Sequence, residues 1–252
     1  MSAAEARLLT LRGVSRRFAD APALEALDLD LRRGEFLSLI GPSGCGKSTA
    51  LRLIAGLIAP TSGAIEWAGG ARPEIGFVFQ TPTLMPWADV RTNVFLPLRL
   101  EGRSWRKARA RVEAALERVG LADRARAYPR ELSGGMAMRV SIARALVSEP
   151  SVLLMDEPFA ALDEITRFRL NDDLARIVRD SATSVVFVTH SIFESVYLSS
   201  RVAVFSQAPG RIVETLAIDA PQPRDPDFRL SPLFSLYARR LADALNRTEG
   251  AP

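Results

Sequence analysis

The sequence predicts an α/β fold, a parallel sheet covered by helices on both faces, and three observations carry that prediction. Phe36–Ile40, Ile75–Phe79, Val152–Met155 and Ser184–Val188 are short, almost wholly apolar runs, the pattern of strands buried on both sides. Between them lie segments with apolar residues at three-to-four spacing, among them Trp105–Val119 and Ile165–Val178, which read as amphipathic helices. Several of the strands also end at a glycine or a polar residue, where parallel strands meet a binding site.

Taken in order, Leu8–Phe18 and Leu24–Leu31 alternate apolar and polar residues, with Arg32-Arg33-Gly34 as the turn that follows. They predict a small antiparallel sheet ahead of the parallel one. Phe36–Ile40, a glycine-rich loop and Thr49–Ala55 then give strand, loop and helix. The middle of the chain turns helical. Arg201–Phe205 and Arg211–Glu214, joined through Pro209-Gly210, predict an edge hairpin, and Ala220–Pro226 reads as a proline-rich linker. Beyond it Leu230, Leu233, Phe234, Tyr237, Leu241 and Leu245 predict a terminal amphipathic helix. The expected organisation is a core of residues 1–87 and 151–219, an inserted helical subdomain over 88–150, and a linker and helix over 220–252.

With 48% hydrophobic and 25% charged residues, the 252-residue chain has ordinary globular composition, which excludes a disordered or collagen-like protein. No stretch approaches the ~20 apolar residues of a spanning helix, and the first residues lack the pattern of a secretory signal. The single cysteine, Cys45, has no internal partner, as suits a reducing compartment. Net charge is +4, and Lys47 and Lys107 are the only lysines among 33 basic residues. The basic run Trp105, Arg106, Lys107, Arg109 and Arg111 reads as a solvated helix face, because no stacking aromatics accompany it. Nucleic acid is not an expected partner.

Gly41-Pro42-Ser43-Gly44-Cys45-Gly46-Lys47-Ser48-Thr49 fits the phosphate-binding P-loop pattern between a strand and a helix. Its backbone N–H groups and the helix N-terminus suit a polyphosphate, Lys47 the β- and γ-phosphates, and the Ser48 hydroxyl Mg2+. ATP and Mg2+ are the expected ligands. Asp156, ending the strand Val152–Met155, suits the metal, and Glu157 a water attacking the γ-phosphate. The fold class therefore narrows to a P-loop NTPase with a RecA-like parallel core.

Leu132-Ser133-Gly134-Gly135-Met136, between the P-loop and Asp156, resembles the signature motif of ABC-type ATPases. Gln80 after Gly76–Phe79 is similar to the family's Q-loop, Ala160-Ala161-Leu162-Asp163 to its D-loop, and His190, the only histidine, to its switch histidine. Phe18 stands where the family stacks an aromatic ring on adenine, although a strand-end core residue would look the same. Met136 replaces the usual signature glutamine and Ala160 the usual D-loop serine. The resemblance spans about residues 8 to 215. It implies a homodimer around ATP in which Ser133, Gly134 and Gly135 act in trans, His190 contacts the γ-phosphate, and Gln80 senses Mg2+ and the attacking water. It also implies transmembrane permease subunits, indirectly a periplasmic solute-binding protein, and a peripheral place on the cytoplasmic face of the inner membrane.

Thr81–Trp87, with Val90, Asn93-Val94 and Pro97-Leu98, resembles the nitrate, sulfonate and taurine importer branch. By that resemblance Leu84–Trp87 lines the groove that receives the permease, the alternative being internal packing. A soluble relative acting on nucleic acid would need a long coiled coil, and residues 81–132 hold no sustained heptads. An exporter cassette is the other alternative. Cys45, beside a helix N-terminus and a lysine, is expected to have a lowered pKa, so that alkylation blocks ATP binding; a small residue filling the loop is the competing reading.

Overall fold

A computed structural model describes residues 7–19, 21–181, 183–221 and 224–249. The amino-terminal residues 1–6, read above for a leader, and positions 222–223 of the proline-rich linker lie outside the described residues. Strands β1 (Arg7–Phe18), β2 (Ala21–Arg32) and β4 (Ser62–Trp67) form an antiparallel sheet in the order β2-β1-β4. The second sheet has six strands, β5 (Ile75–Val78), β6 (Val152–Asp156), β7 (Ser184–Val188), β3 (Phe36–Ile40), β8 (Arg201–Phe205) and β9 (Ile212–Ala217), in that order. All its pairs are parallel except β8 with β9, the expected edge hairpin.

Side chains alternate across a strand, so each central strand feeds two cores. On one face Phe36, Ile40, Leu153, Met155, Val185, Phe187, Val202 and Val204 pack beneath the helices. On the other, Leu37, Leu39, Val152, Leu154, Val186, Val188, Ala203 and Phe205 meet the antiparallel sheet and helix α1 (Lys47–Ile54). Every one of these residues is at most 8% exposed, which explains why the sequence shows unbroken apolar runs instead of alternation.

Helices α2 (Val90–Leu100), α3 (Trp105–Arg118) and α4 (Gly134–Leu146) pack on one another. Arg106, Lys107 and Arg109 lie exposed on α3 while Ala108, Val112, Ala115 and Leu116 are buried, as the spacing requires. Helices α5 (Glu164–Arg179), α6 (Ile192–Leu198) and α7 (Pro232–Glu249) complete that side. The terminal helix buries Phe234, Tyr237 and Leu241, but Leu230 is 85% exposed. It belongs to the 3-10 turn Pro226–Leu230 before α7, where three-to-four spacing no longer assigns a face.

Strand β4 and helix α2 are among the elements that the sequence pattern does not predict. Strand β4 escapes because Ser62-Gly63-Ala64 has little strand propensity; it forms by pairing Leu9 with Trp67 and Leu11 with Ile65. Helix α2 carries Pro97 in its interior, normally a breaker, yet Asp89 caps it by accepting from Thr92 N at 2.8 Å, and Val90, Val94 and Leu98 bury one face.

Arg201 ties the two sheets together. Its guanidinium is bidentate to Glu35, Nε to Oε1 at 2.7 Å and Nη2 to Oε2 at 2.9 Å, and Nη1 reaches Asp30 Oδ1 at 3.2 Å. The Arg201 and Glu35 side chains are only 13% and 6% exposed. Removing one partner of a buried pair strands the other charge, so Arg201→Met is expected to cost about 3–5 kcal/mol. Thermal denaturation checks this as a fall in Tm on the order of 10 °C.

Candidate nucleotide site

The site forms where β3, β6 and β7 end side by side. Leu39 pairs with Val188 and Val188 with Asp156, so the loop after β3, the acidic pair after β6 and the turn after β7 share one sheet edge. The loop Gly41–Gly46 turns directly into α1. Gly46 adopts φ 101, and a Cβ there would lie 2.6 Å from the carbonyl oxygen of Ala23; only glycine fits between the loop and β2. Lys47 is 4% exposed and its Nζ donates to the carbonyls of Gly41 and Pro42, both at 2.8 Å. Pro42, Ser43 and Gly44 form the accessible rim, and Thr49 follows within the first turn of α1.

Ser48 Oγ donates to Asp156 Oδ1 at 2.7 Å. Burial pushes the Asp156 carboxyl above its ordinary pKa and Glu157 adds to the rise, whereas the Ser48 hydrogen bond, Arg52 and Lys47 oppose it. A part-buried carboxylate beside a hydroxyl fits a small divalent cation that draws its other ligands from phosphate and water. Among the described residues there is no cluster of three or more His, Cys, Asp or Glu that could cage a metal.

Glu157 follows with φ 45, an uncommon conformation for a side-chain-bearing residue, held by its N–H donating to Val188 O at 3.0 Å. Its Oε2 lies 3.4 Å from His190 Nδ1, and the His190 and Glu157 side chains are 52% and 22% exposed. The structure thus brings Lys47, Ser48, Asp156, Glu157 and His190 to one edge. Gln80 is exposed two residues beyond β5, whose Val78 pairs with Met155. Phe18 is 43% exposed at the end of β1, which argues against the core reading, and the Arg16 guanidinium lies 4.7 Å from its ring centre.

The remaining residues sit apart. Ser133 caps α4 by accepting from Met136 N at 3.3 Å and, with Gly134, is exposed. Gly135 is buried, and a Cβ there would meet Thr166 Cγ2 at 2.8 Å, so the signature helix packs tightly on α5. Asp163 caps α5, accepting from Thr166 N at 2.9 Å, a bond that holds its carboxyl below the ordinary pKa.

The segment after Gln80 divides. Leu84 packs against the core, as internal packing would have it, whereas Trp87 is 77% exposed and shares a cavity of about 300 Å³ with Met85, Leu96, Arg99 and Tyr128. Two residues hold this segment: Arg144, which no motif pointed to, and Asn93, quoted above for the importer-branch resemblance without a role. Arg144 of α4 donates to Pro82 O and Thr83 O, both at 2.8 Å, and burial pushes its pKa down. Asn93 of α2, fully buried, accepts from Met85 N at 2.7 Å and donates to the carbonyls of Met85, Ala88 and Asp89. A buried amide inside an apolar helix face was the available signal for Asn93.

Cys45 corrects an expectation. Its thiol is 1% exposed, and burial pushes its pKa above the ordinary value of 9.0 despite the opposing charge of Lys47, 3.7 Å away. Desolvation outweighs the lysine and helix terminus invoked above, so the residue fills the loop and is not an activated thiol. Alkylation by iodoacetamide is therefore expected to be slow in the native chain at pH 7–8 and fast in urea; equal rates in the two states would contradict this assignment.

The ABC transporter family model matches residues 24–160. The chain is 45% identical over 230 residues to the aliphatic sulfonates import ATP-binding protein SsuB of Bacillus subtilis, covering 90% of this chain and 88% of that one. It is 43% identical over 245 residues to SsuB 1 of Pseudomonas syringae pv. syringae, covering 97% of each. Among solved structures, the dimeric post-hydrolysis state of the ATP-binding cassette MJ0796 with ADP and Pi aligns with TM-score 0.73 and 31% identity, over 85% of this chain and all of that one. With the P-loop and the two acidic residues at one sheet edge, and a family match over more than half its length, the chain belongs to the ABC transporter family as an ATP-hydrolysing cassette.

Proposed function

We propose that the chain is the ATPase subunit of an importer for an aliphatic sulfonate or similar small anion, acting as two copies beneath a separate membrane permease. The observation that carries the chemistry is the pairing of Ser48 with Asp156 next to that of Glu157 with His190. Lys47 and the backbone amides of the loop bind the β- and γ-phosphates, and Phe18 supports the adenine ring. Ser48, Asp156 and Gln80 would hold Mg2+, which neutralises charge on the phosphate oxygens. Glu157 accepts a proton from the attacking water as the bond from the γ-phosphorus to ADP breaks, and His190 holds the γ-phosphate in line.

Exposed Ser133 and Gly134, with the buried helix start at Gly135, suit contact in trans with nucleotide on a second copy, a reading supported by the dimeric state of the cassette aligned above. Phe77, Phe79, Leu96, Pro97 and Leu100 line a largely apolar groove of about 490 Å³, with Glu101 and Arg144 also in its wall, and Leu96 is shared with the Trp87 cavity. Such an apolar groove, with Leu100 79% exposed, suits a permease segment. No described helix is long and apolar enough to cross a membrane. The importer role itself would place the chain peripherally, on its permease at the cytoplasmic side. The transported solute would be recognised by the permease and a periplasmic binding protein. Sulfonate is favoured because the relatives named above carry that substrate in their names.

Purified chain and its Glu157→Gln variant test the reading. The wild type is expected to hydrolyse ATP with Mg2+. The variant is expected to lose about 100-fold or more in kcat yet dimerise on ATP in light scattering. Trp87→Glu is expected to abolish co-purification with the permease while ATP binding persists; retained co-purification would remove the docking assignment.

A further inference from the structure

His190 is half exposed, and no role was assigned above to the polar groups beneath it. Thr189, 2% exposed, donates its hydroxyl to Glu194 Oε2 in a short hydrogen bond. The same hydroxyl oxygen accepts from Ser191 N at 3.0 Å, so the residues on both sides of His190 are fixed through one atom. Glu194, in the first turn of α6, is 5% exposed. Arg167 of α5 faces it, Nε lying 3.8 Å from Oε1, and Arg167 Nη2 donates to Leu162 O at 2.9 Å. A chain of polar contacts therefore runs from Leu162, beside Asp163, through Arg167, across an ion pair in which Nε makes no hydrogen bond, to Glu194 and on to Thr189, the residue before His190.

Helix capping does not account for this arrangement. Ser191-x-x-Glu194 has the spacing of a capping box, in which the glutamate would accept from the Ser191 N–H. Only half of the box is used: Glu194 N donates to Ser191 Oγ at 3.3 Å, while Ser191 N goes to the Thr189 hydroxyl instead. The Glu194 carboxylate is thereby released to hold Thr189. Burial pushes its pKa up, the Thr189 hydrogen bond and Arg167 pull it down, and the fields of His190 and Glu157 act on it with opposite signs. A charge so placed in the interior is costly unless it is paired, which makes its position sensitive to Arg167 and Thr189 together.

We infer that Thr189, Glu194 and Arg167 form a positioning relay that sets His190 against Glu157 and anchors that setting to the backbone at Leu162. It rests on the catalytic reading of His190 given above. None of the three touches nucleotide in this assignment. They act by holding the turn that carries the histidine, and a displacement of about 1 Å at a reacting group can cost on the order of 100-fold in rate.

Full-length chain carrying Thr189→Val, Thr189→Ser, Glu194→Gln, Arg167→Ala or His190→Ala, with the His190→Ala/Thr189→Val double variant, tests the relay by Mg-ATPase kinetics and thermal denaturation. Thr189→Val and Glu194→Gln are expected to lower kcat about 10- to 100-fold, with KM for ATP changed by less than about twofold and Thr189→Ser restoring the rate. In the His190→Ala background, Thr189→Val is expected to cause no further loss. The isosteric Glu194→Gln carries the test should Thr189→Val fail to fold. Wild-type kcat in His190→Ala overturns the catalytic reading itself. An inactive His190→Ala beside Thr189→Val and Glu194→Gln at wild-type kcat overturns the relay alone, as do losses that multiply in the double variant.

Discussion

The parallel pairing of β7 with β3 on one side and β6 on the other determines where the chemistry can occur. Backbone hydrogen bonds lock Leu39, Val188 and Asp156 into lateral register, so a lysine-bearing loop, a carboxylate pair and a histidine-bearing turn emerge at neighbouring points of one edge. None of these groups is close to the others in sequence. Their separation is a multiple of the interstrand spacing of about 4.8 Å, a distance the backbone sets and side chains only refine. Loops on such an edge can vary in composition while the spacing between them stays constant. The strained φ of Glu157 is tolerated because the Val188 carbonyl pins its N–H.

Much of this was legible because buried parallel strands write themselves as apolar runs and because the phosphate loop has few substitutes. Phe36–Ile40, Val152–Met155 and Ser184–Val188 are strands in the structure within a residue of their expected ends. Strand β4 and helix α2 were not legible, since tertiary pairing made a strand of Ser62-Gly63-Ala64 and an Asp89 cap with three buried apolar residues made a helix around Pro97. Periodicity assigned Leu230 to a buried face because a 3-10 turn and the following helix read alike in sequence. Proximity along the chain suggested a reactive Cys45, whereas reactivity depends on solvation, which only the packed loop reveals. The relay beneath His190 was invisible for the same reason. Its members come from two helices and a turn, and a buried ionic contact has no periodic signature.

Three polar side chains that are buried or partly buried fasten one segment to another. Arg201 fastens the antiparallel sheet to the parallel one, Arg144 fastens the signature helix to the segment after Gln80, and Asn93 folds that segment back on α2. Arginine suits such fastening because its planar fork satisfies several acceptors at once, as Arg144 does with Pro82 and Thr83. The scarcity of lysine accords with this use, and one of the two lysines present is kept for the phosphate loop.

The division of the hydrophobic interior into two clusters has a consequence for how such a chain can diversify. Substitutions more than about 7–10 Å apart with no shared partners have nearly additive effects. Residues beneath α2–α4 and residues between α1 and the antiparallel sheet belong to different clusters on opposite faces of the six-stranded sheet. The sheet therefore behaves as a partition. The helical side can be remodelled to match a new transmembrane mate, one tolerated change at a time, without disturbing the packing that supports the nucleotide loop.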